Sequence, residues 1–211
     1  WRRRRTPATG ADTGADDGGS VPSCTGLSNH VVISQFATRG GSSGNDDYVE
    51  IYNPTKSSIN IAGVKLQYRS SAGTSWSDRA IVPSGATIAP NGYFLFANSD
   101  AAYTGPAADV KYSSGMADNA SVSIVDANGN AIDKVGFGSG TGIDPEGFAT
   151  AGFCSSACTK AFFRKAYAGS TDASMAGAEA AQGNGIDTDN NQNDFVLVAN
   201  RNPRNSASPA A

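Results

Sequence analysis

"DDYVEIYNPTKSSINIAGVKL", residues 46–66, changes its pattern partway through, and that change decides the fold. In its first half Val49 and Ile51 alternate with Tyr48, Glu50 and Tyr52, the period of two of a β-strand. Asn53-Pro54 then interrupts the run, because proline has no N–H to give a ladder and restricts the residue before it. The apolar pattern resumes at Ile59 and Ile61 and, beyond Gly63, at Val64 and Leu66. Two strands separated by a turn satisfy this pattern, and a helix does not.

The same grammar extends in both directions. Upstream, "HVVISQFA" (30–37) reads as a strand that ends in a Gly-Ser loop. Downstream, strands are predicted at 79–83, at 86–98 around a Pro-Asn-Gly turn, and at 109–114. "SVSIVDANGNAIDKVGF" (121–137) is the clearest hairpin, two alternating segments flanking Asn128-Gly129, residues that tolerate the positive φ of a tight turn. Segments 159–166 and 193–199 complete roughly nine short strands, with a Gly/Ala-rich loop holding one helical turn at 168–186. The expected fold is all-β, an antiparallel β-sandwich. Residues 1–27 are expected to form an extended N-terminal arm, 28–206 the sandwich and 207–211 a short C-terminal tail.

Composition agrees. Glutamate occurs three times in 211 residues, at Glu50, Glu146 and Glu179, a poor inventory for long surface helices. No stretch approaches the apolar length of a membrane-spanning helix. The formal charge is −3, and setting aside the arm (Arg2, Arg3, Arg4 and Arg5 against Asp12, Asp16 and Asp17) leaves a body charge of −4. An acidic body is not the footprint of a protein that grips phosphate backbones. Of the three cysteines, Cys154 and Cys158 sit close together in "FCSSACTK", and a local disulfide is the preferred reading. A zinc site is disfavoured because it needs four ligands and the chain has one histidine, His30. A disulfide implies an oxidising compartment, and Cys24 is left free or bonded between chains. The chain opens on Trp1 without an apolar leader, so a mature secreted form is expected.

These segments together resemble the lamin tail domain, an immunoglobulin-like sandwich of nuclear lamins and of many secreted bacterial proteins. Glu50, Tyr52, Asn53, Pro54, Ile59, Ile61, Gly63 and Leu66 fit its opening strands, and "IAPNGYFLFAN" and "VSIVDANGNAIDKVGFG" fit its later strand and hairpin. "FFRK" and "DTDNNQNDFVLVANRNPRNSAS" are similar to the bacterial branch, so the resemblance spans about 30–206. Val64 stands where an aromatic is common, which implies different core packing there. The resemblance implies an immunoglobulin-like sandwich on a secreted or cell-surface protein.

Catalytic chemistry finds little purchase. His30 is the sole imidazole, no G-x-S-x-G nucleophile segment exists, and Asp47 and Glu50 fall on opposite faces of a regular strand. "GSGTG" (138–142) lacks the Lys-Ser/Thr of a phosphate loop. "IDTDNNQNDFVLV" (186–198) offers Asp187, Asp189, Asn191 and Asp194 at calcium-loop spacing. An EF-type loop needs glycine at its sixth position and glutamate at its twelfth, which here are Gln192 and Val198. The preferred reading is a polar tie leading into the last strand, with calcium as the minor one. The expected function is therefore non-enzymatic and structural: self-assembly into a filament or surface layer, with Arg2 to Arg5 and Cys24 on an arm that docks on a neighbouring sandwich. The second reading is a secreted binding module for nucleic acid or a surface polymer such as a polysaccharide, as the resemblance to domains accompanying secreted nucleases implies.

Overall fold

A computed structural model describes residues 26–211. The calls on Arg2 to Arg5, on Cys24 and on nearly all of the arm lie outside the described residues. Within them the chain forms β1 (Val32–Ala37), β2 (Tyr48–Tyr52), β3 (Ile59–Asn60), β4 (Lys65–Ser70), β5 (Ser77–Ile81) and β6 (Thr87–Ile88). It continues through β7 (Tyr93–Asn98), β8 (Val110–Tyr112), β9 (Ala120–Val125), β10 (Ala131–Phe137) and β11 (Ala161–Arg164). Two short helices, α1 (Asp172–Ala176) and α2 (Asn191–Asp194), precede the last strand, β12 (Phe195–Val198).

A six-stranded sheet, ordered β12-β11-β1-β2-β7-β8, packs on a four-stranded sheet, β10-β9-β4-β5, and β3 pairs with β6. The fold is thus the expected all-β, immunoglobulin-like sandwich. Twelve strands stand where roughly nine are expected, and two of the expected strands are each broken by a turn. Gly63, at φ +78°, turns the chain so that Val64 N donates to Ile61 O, which separates β3 from β4. Asn91, at φ +55°, and the Gly92 N–H on Ala89 O separate β6 from β7. The β9–β10 hairpin forms as read, with Gly129 at φ +89° and Asp126 Oδ1 accepting from Asn128 N and Asn130 N. One pair departs from the antiparallel expectation, since β8 runs parallel to β7.

Between the sheets, Phe36 stacks within 5.0 Å of Phe137 and 5.1 Å of Phe162, and Val49, Ile51, Phe94, Phe96, Leu66, Val122 and Ile124 fill the same layer. Every residue of β1, β2 and β7 is buried, although half of them face away from this core. The cover is the C-terminal segment, which crosses the outer face of the six-stranded sheet. Asn202 exchanges hydrogen bonds with Gln35, Arg204 reaches Glu50, Ser206 bonds Asp109, and the Ala211 N–H ends on Asn91 O. Cys154 and Cys158 are joined by a disulfide, with Cα atoms 5.9 Å apart, and Cys158 is buried against the core. No helix among the described residues is long and apolar enough to cross a membrane.

Candidate functional site

Charged residues build two buried centres, and those of the first lie on the apolar phase of their strands. Arg164 follows Phe162 on the inward phase of β11, and Asp133 precedes Val135 and Phe137 on that of β10. A bulge in β1 between Ile33 and Gln35 lies where these two side chains meet. Arg164 Nη2 donates to Asp133 Oδ2 at 2.6 Å, Nε donates to Ile33 O at 2.8 Å, and the Ile33 N–H donates to the same Asp133 oxygen at 2.6 Å. Arg164 Nη1 donates to Ile186 O and, at 3.1 Å, to Asp187 Oδ1, with Asp194 Oδ2 3.7 Å away. The guanidinium lies 4.7 Å over the Phe195 ring. Both Arg164 and Asp133 side chains are fully buried, so their pairing opposes a large desolvation cost.

Acids outnumber bases here. Asp133, Asp187, Asp194 and Glu146 all act on Arg164, holding its pKa above the ordinary value although burial pulls it down. Burial raises the Asp133 carboxyl despite its guanidinium partner. Burial, then Asp133 and Asp187, push Glu146 up to about 8. Asp133, Glu146 and Asp187 offer carboxylate oxygens within 4.8 Å of one another. His30 Nε2 lies 3.5 Å from Asp187 Oδ2 at the rim, and its Nδ1 faces Val31 O.

The residues of the suspected calcium loop separate. Asp187 joins the acidic group, and Asp189 is exposed at φ +54°. Asp194 accepts from Thr188 N and Thr188 Oγ1. Asn191 Oδ1 accepts from Gly136 N and Glu146 N, while its Nδ2 donates to Lys134 O, so α2 caps the outer edge of β10. Asp133, Glu146 and Arg164 were not singled out as site residues by sequence reading. For Asp133 and Arg164 the available signal was a charge in phase with Phe137 or Phe162 on its own strand.

The second centre is balanced. Arg204 N, Nε and Nη2 all donate to the Glu50 carboxylate, Ser34 Oγ donates to it as well, and Arg204 Nη1 donates to Tyr93 OH while the guanidinium stacks 3.9 Å over that ring. Arg201 pairs with Asp46 nearby. Asn184 joins the two centres, donating from Nδ2 to Arg164 O and accepting at Oδ1 from Arg204 Nη2.

A family model described as Lamin Tail Domain matches residues 26–139. No curated protein matches the chain.

Proposed function

The chain belongs to the lamin tail domain family, and from that premise we propose that it is a non-enzymatic extracellular structural protein of the secreted or cell-surface kind, one that assembles with copies of itself. The N-terminal arm of one copy docks on the sandwich of the next. The observation that carries this reading is the asymmetry of the four-stranded sheet. Its β10 edge is closed by Asn191 on Gly136 N and Lys134 O and by the bridge from Phe137 to Thr150. Its β5 edge carries no further strand among the described residues, and Ser77, Asp78 and Ile81 are exposed there. Ile81, at 56%, is one of three exposed large hydrophobics among the described residues. An uncovered edge with an apolar side chain is a template for strand addition. An arm offered to a different surface of the next copy makes a heterologous contact, which propagates unless rotation closes a ring.

The test compares the full chain with a chain beginning at Gly26, by light scattering and negative-stain microscopy. The full chain forms regular assemblies and the shortened chain stays monomeric with an unchanged unfolding transition. Ile81→Lys in the full chain also blocks assembly. A shortened chain that still polymerises overturns the reading.

A further inference from the structure

We infer that Asp133, Glu146 and Asp187 form a binding site for a hard divalent cation of the calcium class, set between the two sheets beside Arg164. The three carboxylates come from separate segments, β10, the loop after it, and the approach to α2, yet their oxygens converge within 4.8 Å. Acidic side chains brought that close repel one another, and the single guanidinium beside them cannot neutralise three.

A second observation points the same way. Asp133 is 1% exposed, and its Oδ2 is occupied by Ile33 N and Arg164 Nη2. Its Oδ1 is buried without any hydrogen-bond partner among the described residues. A buried carboxylate oxygen without a donor is costly, and a cation supplies what it lacks. Asp187 is divided in the same way, with Oδ1 on Arg164 and Oδ2 on the rim side toward His30. Asn191 Nδ2 lies 3.4 Å from Glu146 Oε2.

The donor set selects the ion. Three carboxylates without thiolate suit a hard cation, and calcium accepts irregular oxygen shells completed by water more readily than magnesium does. Asp189, Asn191 and Asp194 are not among the three converging carboxylates. Asp194 and Asn191 are engaged by Thr188, Gly136, Glu146 and Lys134, and Asp189 faces solvent. The cation would cross-link β10 of one sheet to the segment that leads into β12 of the other.

The experiment uses the full chain, stripped with EDTA and moved into chelator-free buffer, titrated with CaCl2 by calorimetry and followed by thermal unfolding. One calcium binds per chain and raises Tm. Glu146→Gln removes one of the three carboxylate ligands without adding charge, so its metal-free Tm equals or exceeds that of the wild type, while its calcium affinity falls by about tenfold or more. Asp189→Asn binds calcium as the wild type does. The inference is overturned by no binding at millimolar CaCl2, by a Glu146→Gln variant with a lower metal-free Tm, or by Asp189→Asn losing as much affinity as Glu146→Gln.

Discussion

Arg204 and Arg164 are both buried guanidiniums that tie late segments of the chain to the sandwich, and they differ in what they balance. Arg204 meets one acid, Glu50, whose two oxygens are both filled by donors. Arg164 meets Asp133, Asp187 and Asp194, with Glu146 beside them, and one Asp133 oxygen has no donor among the described residues. A one-to-one pair with complete hydrogen bonding is a clasp. A surplus of buried acid around one cation is instead a centre under electrostatic stress, which a second cation relieves. Asp47 is a third case, a buried acid held only by the neutral donors Asn98 Nδ2, Tyr112 OH and Met116 N.

The largest expected effect tests the crowded centre. Arg164→Met leaves Asp133 and Asp194 buried without their cation and lowers stability by about 3–5 kcal/mol in urea denaturation. A smaller loss than that of the Arg204 variant would break the contrast. Asp47 ranks next. Burial lifts its carboxyl to about 6, against the partial opposition of its three donors. Below about pH 4 it is protonated in both folded and unfolded chains. Between about pH 4 and 6 the folded state keeps a proton that the unfolded chain has released, so stability falls as pH rises and levels off above. This group's share is roughly 3 kcal/mol, measured as the pH dependence of unfolding in the wild type relative to Asp47→Asn. Arg204→Met follows at about 2 kcal/mol, because the Arg204 side chain keeps some solvent access and Ser34 Oγ still donates to Glu50. Its signature is loosening of residues 200–211, read as faster amide exchange on the outer faces of β1 and β2. The smallest effect belongs to the surface. Asp78→Ala breaks the exposed Lys65 pair on the β5 edge and changes stability by less than about 1 kcal/mol, so any larger consequence for assembly would come from the edge itself.

The sandwich was legible because strand periodicity and turn chemistry are local. Tyr48 to Tyr52, Asn128-Gly129 and the apolar run at Tyr93 to Phe96 each carry their own signal. The strand count was less legible, since Gly63 and Asn91 turn the chain inside runs whose apolar content continues past them. The candidate site was legible only in part. Asp187 stands out in an acidic stretch, but Asp189, Asn191 and Asp194 stand out equally and do other work. Glu146 carries no local mark at all, because its partners are 13 residues before it, at Asp133, and 41 after it, at Asp187.

Sequence alone determined that this chain is an all-β sandwich of the lamin tail type, with its hairpin and its local disulfide pair, because those features depend on neighbours a few residues apart. Only the tertiary structure decided which charges are buried together. Arg164 gathers acids from β10 and the approach to β12, while Arg204 returns to Glu50 across 154 positions of chain. Burial and like-charge proximity act through space, so they are set when the sheets close on each other.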